Sequence, residues 1–312
     1  METDAPRRRR NRRPPSLRIT DRDRRLLAFA AEHRFIIAAQ PAVLLDLRQK
    51  PVDDRLRGLA EAGLLWRERA LNGQPSTYRI TAAGLRAVGS DLRAPHRLDL
   101  SLYRHDLGLG WLMVAAHREW FGPVRAVISE RRMRSEDRRD QRPGAQGADR
   151  LAGEAAGPPR GADGRTLRHG VRLGGQGPRG SERLHYPDMM LLTASGHRVA
   201  FELELTSKPP RRREDILAGY AADPRIDRVI YLVENRSTGD AVERSARRAG
   251  AADLVRVQMV RVPALEAATG QAPSAQRRHA RPPASAERRP TRPPASAERR
   301  PTRPPASAER SR

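Results

Sequence analysis

The chain has 312 residues, of which 38% are hydrophobic, and its formal net charge at pH 7 is +24. A cationic surplus of this size favours a polyanionic partner, because binding to phosphates releases condensed counterions. The chain has no cysteine, which excludes disulfide bonds and thiolate metal sites. No apolar run approaches the roughly 18 residues that a membrane helix needs, so we expect a cytoplasmic protein that binds nucleic acid and no membrane.

Residues 17–95 carry the periodicity of a small helical domain. Thr20 and Asp23 form a capping box at the start of the first helix. A short second helix follows in "AAQPAVLLDL", and a third in "PVDDRLRGLAEAGLL" ends at Gly63. A β-hairpin and the helix "AAGLRAVGS" come next. This order predicts a winged helix-turn-helix DNA-binding domain.

Basic side chains follow the third helix and the hairpin of this predicted domain. In a winged helix the third helix enters the major groove, where the arginine fork can bridge guanine O6 and N7 or hold a phosphate. The predicted DNA contacts are Arg48, Lys50, Arg55, Arg57, Arg67, Arg69 and Arg79. The alternative is a winged helix used for protein contact, which Asp53 and Asp54 favour because they repel phosphates.

A second domain is predicted from the patterns that follow. Residues 96–132 contain a long amphipathic helix that connects to it, and residues 185–265 carry the rest. The stretch 198–208 alternates between apolar and polar positions, and "MMLLT" pairs with it across the tight "ASGH" connection. "ILAGYAA" is helical, and "RVIYLVE" is typical of a strand buried inside a sheet. The chain is therefore predicted to be α+β, with a mixed sheet in its second domain.

Three carboxylates gather in this predicted hairpin. Glu202 and Glu204 project to the same side of one strand, and Asp188 begins the strand that pairs with it. Carboxylate oxygens on neighbouring strands suit Mg²⁺. Lys208 is one of only two lysines in the chain, and a lysine can act as a compact charge near an attacking water. The alternative is an ordinary solvated face on which both glutamates meet water.

The motif "PD" at 187–188 followed by "ELE" at 202–204 resembles the PD-(D/E)xK nuclease superfamily, with glutamate in place of the motif lysine. The whole layout is similar to the replication-relaxation family of actinobacterial plasmids and mobile elements. The matching pieces include "ITDRDRRLLAFAAEHRF", "YRITAAGLRAV", "RHDLGL", "ISERRMR", "PDMMLL" and "FELELTSK". They cover residues 17–132 and 185–235.

The resemblance implies a restriction-endonuclease-like fold for the second domain and a set of site residues. Asp188 and Glu202 would be metal ligands, and Glu204 would stand at the motif lysine position as a third ligand. Glu130 would be the glutamate that an earlier helix supplies. With Lys208 added from the residue pattern, the candidate catalytic set is Asp188, Glu202, Glu204, Lys208 and Glu130, and Mg²⁺ is the expected cofactor.

Two functions fit these patterns. The first is a protein of plasmid or mobile-element replication or transfer that binds double-stranded DNA and carries a nuclease-like domain. The second is a winged-helix transcriptional regulator whose second domain is a catalytically inactive scaffold for homodimerisation or partner binding. The chain has no Walker-type phosphate loop, which argues against an ATP-driven initiator or helicase.

Three segments are predicted to be disordered because they offer almost nothing to bury. They are a basic arm at 1–16, a glycine- and arginine-rich insert at 133–184, and a tail at 266–312. The tail repeats "RPPASAERRPT", and paired prolines without large apolar residues cannot stack into a solenoid.

Overall fold

The computed structural model describes residues 18–140, 168–177 and 181–262. The predicted basic arm and repeat tail lie outside these residues. Within the described ranges, no helix combines the length and the apolar character that crossing a membrane requires.

The helices and the hairpin predicted for residues 17–95 are present. In chain order the elements are α1 Asp21–Glu32, β1 Ile36–Ile37, α2 Ala39–Leu44, α3 Gln49–Glu61, β2 Leu65–Glu68, β3 Thr77–Ile80 and α4 Ala82–Ala87. The capping box that begins α1 forms as predicted, since the side chain of Thr20 accepts from the backbone of Asp23 and the Asp23 carboxylate accepts from the backbone of Thr20. The three strands make an antiparallel sheet in the order β1-β3-β2.

A five-stranded mixed sheet forms the second half of the described chain, so the α+β class is confirmed. A 3₁₀ turn at Leu100–Leu102 leads into its elements, which are α5 Tyr103–His117, β4 Val124–Ser129, α6 Glu130–Asp140, β5 Val171–Gln176, β6 Glu182–His185, β7 Met189–Thr193, β8 Arg198–Glu204, α7 Pro210–Ala221, β9 Arg228–Val233, α8 Arg236–Arg248 and β10 Val255–Met259. The strand order is β10-β9-β8-β7-β4. Strands β4, β7 and β8 are antiparallel, whereas β8, β9 and β10 run parallel and are joined by α7 and α8.

Both faces of this sheet are covered. Phe201 and Leu203 of β8 share one apolar core with Leu112 of α5 and with the N-terminal helices, including Leu26 and Val52. That core is continuous across the boundary predicted between 17–95 and the second domain. The opposite face packs against α6, α7 and α8, through Met133, Ile216, Leu217, Tyr220, Val242 and Ala246.

The predicted alternation of side chains along β8 is confirmed, but the alternative in which Glu202 and Glu204 meet water is wrong. Phe201 and Leu203 lie on the α5 side, and Ala200, Glu202 and Glu204 lie on the other. Because α7 and α8 cover that other side, Glu202 and Glu204 are each only 1% exposed.

The structure also departs from the disordered insert predicted for 133–184. Helix α6 continues to Asp140, and β5 and β6 form an antiparallel hairpin. The buried carboxylate of Asp137 accepts the backbone N–H groups of Arg168, His169 and Gly170 at 2.7–3.1 Å. This carboxylate fastens residues 168–170 to α6. Composition suggested disorder, because one buried polar anchor has almost no effect on the composition of a segment.

Candidate functional site

The predicted carboxylates are brought together by the register of β7 and β8. Met189 pairs with Phe201, so antiparallel pairing sets Asp188 opposite Glu202 at the next position. Glu204 lies two residues further along the same face of β8, and Lys208 follows in the loop that leads to α7.

Glu202 is held by three donors in the interior. Its Oε1 accepts from the hydroxyl of Tyr220 at 2.5 Å and contacts Nε2 of His185 at 2.6 Å. Its Oε2 accepts from Nζ of Lys208 at 3.4 Å. Burial alone would raise the pKa of Glu202, but the charges of His185 and Lys208 and the hydrogen bonds lower it to about 2. The carboxylate is therefore ionised at neutral pH.

Glu204 forms a buried ion pair with Arg213 of α7. Its Oε1 accepts from Nε and Nη2 of Arg213 at 3.1 and 2.8 Å, and from the backbone N–H of Lys208 at 3.0 Å. Its Oε2 is buried without a hydrogen-bond partner among the described residues and lies 4.0 Å from Nζ of Lys208. One oxygen of Glu204 is thus saturated, and the other faces the ammonium group alone.

Asp188 is engaged by a backbone amide and by a histidine. Its Oδ2 accepts from the N–H of Leu203 at 2.7 Å and contacts Nε2 of His105 at 3.3 Å. The other ring nitrogen of His105 is 3.8 Å from Asp106. Burial would lower the pKa of His105, but Asp106 and Asp188 together raise it to about 10. The imidazole is therefore protonated at neutral pH and offsets the charge of Asp188.

Glu130 lies near Asp188 but is not joined to the two buried glutamates by any described contact. It is the first residue of α6, and its backbone N–H donates to the carbonyl of Asp188 at 3.3 Å. Its carboxylate pairs with Arg134 at 2.8 Å and with Arg34 at 3.8 Å. Glu130 and Asp188 both line a cleft of about 20 Å³, which has room for a single water molecule.

The carboxylates as arranged do not fit a resident Mg²⁺. This ion demands near-octahedral oxygen coordination and keeps several waters. Both oxygens of Glu202 and one oxygen of Glu204 instead already have donors, and Lys208 lies between the two side chains. Among the described residues, no group of three histidine or acidic side chains is placed to hold a metal ion.

Four residues of this cluster escaped the sequence prediction: His105, His185, Tyr220 and Arg213. They come from three elements, α5, β6 and α7, and each contacts a carboxylate at a sequence separation for which no spacing rule exists. The only available signal was the presence of His105 in "RHDLGL", one of the stretches on which the family resemblance rests.

The seven predicted DNA contacts separate into exposed and internally bonded side chains. Arg48, Arg67 and Arg69 are exposed and have no carboxylate partner within the described residues. Lys50 is also exposed and pairs with Asp54 at 3.3 Å. The remaining three, Arg55, Arg57 and Arg79, make stronger internal contacts.

Arg55 fastens α3 to α1. Its Nε and Nη2 donate to the two carboxylate oxygens of buried Asp23 at 2.6 and 2.5 Å, and Nη2 also donates to the carbonyl of Arg18. Burial would raise the pKa of Asp23, but the hydrogen bonds from Arg55 and Thr20 lower it to about 2. Arg55 therefore supports the position of α3.

Arg57 and Arg79 are bonded less tightly. Arg57 pairs with Asp53 one turn earlier at 2.9 Å, and Asp53 also accepts from the hydroxyl of Tyr78 at 2.7 Å. Arg79 donates to the carbonyl of His96 at 2.8 Å and pairs with Glu68 at 3.4 Å. Asp53 is thus shielded by its own neighbours, which weakens the repulsion of phosphates that it would otherwise cause.

Comparisons of this chain with protein-family models, with curated proteins and with solved structures found no match. The site must therefore be interpreted from its own geometry.

Proposed function

We propose that this chain is a DNA-binding protein in which a winged helix is joined to a restriction-endonuclease-like domain. The observation that carries the proposal is the arrangement of residues 21–87. Helix α3 is followed directly by the hairpin β2–β3, β1 completes a three-stranded sheet, and the start of α3 is exposed. In DNA-binding proteins with this order, a helix of this kind enters the major groove and the hairpin lies beside the backbone.

Charge on this face supports the same conclusion. Arg48 immediately precedes α3, and Arg67 and Arg69 lie on and just after the first strand of the hairpin. All three are exposed and free of carboxylate partners among the described residues, so they are available to phosphates. With a net charge of +24, the chain would gain from counterion release on any duplex.

The second domain supports the narrower part of the proposal. An antiparallel meander continues into a parallel strand through helix α7, and Asp188 comes directly before the pairing of β7 with β8, opposite the position of Glu202. A role in the replication or transfer of a plasmid or mobile element rests on the motif resemblance alone. A homodimer is part of the proposal without a described contact to support it.

A second candidate function is a DNA-binding regulator whose second domain does not cut. The ion pairs of Glu202 and Glu204 favour it, because both carboxylates are neutralised by side chains of the protein itself. An incubation of supercoiled and linear DNA with the protein, with and without Mg²⁺ or Mn²⁺, separates the two functions. Metal-dependent nicking that Glu202→Gln abolishes would establish the nuclease.

DNA binding itself is tested by fluorescence anisotropy on double-stranded DNA over a range of salt concentrations. We expect Arg48→Ala, Arg67→Ala and Arg69→Ala each to weaken binding and to reduce the salt slope by about 1, as the loss of one phosphate contact should. Arg247→Ala is the matched control, because this exposed arginine lies on α8 in the other half of the chain. If the three test variants bind like the wild type, as the control should, this face is not the DNA interface.

A further inference from the structure

Lys208 lies where a cation would have to bind among the three carboxylates. Its Nζ is 3.4 Å from Oε2 of Glu202 and 4.0 Å from Oε2 of Glu204. The ammonium group therefore faces one carboxylate oxygen of each buried glutamate.

A carboxylate oxygen without a hydrogen-bond donor gives a second, independent indication that this position suits a cation. Oε2 of Glu204 is buried, has no hydrogen-bond partner in the described part of the chain and faces Lys208. A buried carboxylate oxygen without a donor is costly. The lysine satisfies it through charge rather than through a hydrogen bond, which is also how a metal ion would act.

The two buried glutamates have one lysine and one arginine partner between them. Glu202 and Glu204 carry two negative charges, and Lys208 and Arg213 carry two positive charges. Without Lys208 one of these negative charges has no such partner, and Oε2 of Glu202 and Oε2 of Glu204 lose the cation that they face.

We infer that Lys208 is a built-in cation that takes the place of a metal ion, so that the wild-type cluster binds no Mg²⁺ or Mn²⁺. Removal of its ammonium group then leaves Oε2 of Glu202 and Oε2 of Glu204 facing one another's charge without a cation, and a divalent ion can bind between them. Lysine suits this role because its charge is compact and its stem is flexible. The inference does not depend on DNA binding, so it can fail while the proposed function stands.

The experiment measures divalent-cation binding in the full-length protein without DNA. Thermal unfolding is followed with and without millimolar Mn²⁺ for the wild type, Lys208→Met, and Lys208→Met combined with Glu202→Gln. Methionine keeps the unbranched shape and most of the length of the side chain and removes its charge. Lys50→Met is the matched control, because Lys50 is the other lysine of the chain and its side chain is 86% exposed.

We expect Mn²⁺ to leave the melting temperatures of the wild type and of Lys50→Met unchanged. It should raise that of Lys208→Met by several degrees, since a ligand that binds only the folded state stabilises it. The added Glu202→Gln should remove most of this rise. An equal rise in the wild type, or no rise in Lys208→Met, would overturn the inference.

Calorimetric titration of the wild type with Mn²⁺ keeps the inference testable if Lys208→Met does not fold. Binding of one Mn²⁺ per chain that Glu202→Gln abolishes would show that the ammonium group does not block the site. The absence of such binding supports the inference. Recovery of folded Lys208→Met on addition of Mn²⁺ would support it further.

Discussion

The ion pairs of the N-terminal helices and those of the mixed sheet differ in where they lie. On α3, Lys50–Asp54 and Arg57–Asp53 are pairs between neighbouring turns of one helix, and both face solvent. Beneath α7, by contrast, Arg213 and Glu204 are 2% and 1% exposed. Exposed pairs contribute little to stability because water screens them, whereas a buried pair is costly to break because one charge remains unpaired.

This difference shows that a basic composition does not indicate what each arginine does. The net charge suggested one role for the arginines, contact with nucleic acid. Arg213 instead neutralises a buried glutamate, and Arg55 joins two helices through Asp23. Arg55 is the exception within the first region, because its partner is fully buried while its own side chain is partly exposed.

The largest effect that this comparison predicts is the loss of Arg213. Arg213→Ala leaves the carboxylate of Glu204 buried without its guanidinium, and breaking such a pair costs about 3–5 kcal/mol of unfolding free energy. Urea denaturation measures this loss directly. Arg212→Ala is the control, because Arg212 lies next to Arg213 on the same helix but is exposed. Its loss should change the unfolding free energy by less than about 0.5 kcal/mol.

A double variant tests the physical reason. Adding Glu204→Gln to Arg213→Ala removes the unpaired charge and should recover part of the lost stability, as expected for two residues that interact directly. Equal destabilisation of Arg212→Ala and Arg213→Ala would show that burial of the pair does not matter.

A smaller effect is expected for Arg55. Arg55→Ala leaves Asp23 buried and unpaired, so we expect a loss of about 3 kcal/mol of unfolding free energy. Arg57→Ala, two residues away on the same helix, removes only a surface pair and should leave the unfolding free energy close to that of the wild type. The two variants should separate in urea denaturation. If they are equally stable, the contact between α1 and α3 does not depend on Asp23.

The elements of the fold were largely predictable from local patterns. The capping box of α1, the β2–β3 hairpin and the alternation of β8 are encoded within a few residues each. Strand β10 and helix α8 were not predicted, because their places depend on packing against β9 and α7. The anchoring of the chain to Asp137 was equally inaccessible, since its backbone donors lie 31 to 33 residues further along the sequence.

The acidic residues of the candidate site were predictable from the sequence, whereas the side chains that donate hydrogen bonds to them were not. The strand phase placed Glu202 and Glu204 on one face, and the hairpin register placed Asp188 beside them. Whether that face meets water, metal or protein depends on α7, which brings Tyr220 and Arg213 over the glutamates. A single sequence does not reveal which helix covers a strand, so the burial of these carboxylates could not be inferred.

The smallest predicted effect concerns two histidines whose surroundings differ. His105 is charged because it lies between two carboxylates, whereas the ring of buried His33 packs at a tilt against Phe29 and its Nε2 has no hydrogen-bond partner among the described residues. Burial and the nearby charge of Arg131 lower the pKa of His33 from 6.5 to about 3. Below pH 6.5 the unfolded chain takes up a proton at this position that the folded chain rejects.

The folded-state pKa of His33 is thus depressed, so its contribution to stability is complete above pH 6.5 and is lost as the pH falls towards 3. His33→Phe removes the titration and keeps a ring next to Phe29. Between pH 7 and pH 5 the wild type should lose about 2 kcal/mol more unfolding free energy than His33→Phe, at 1.36 kcal/mol for each pH unit below 6.5. Urea denaturation at the two pH values measures the difference. Parallel losses in both proteins would mean that His33 can take up its proton without unfolding the helices around it.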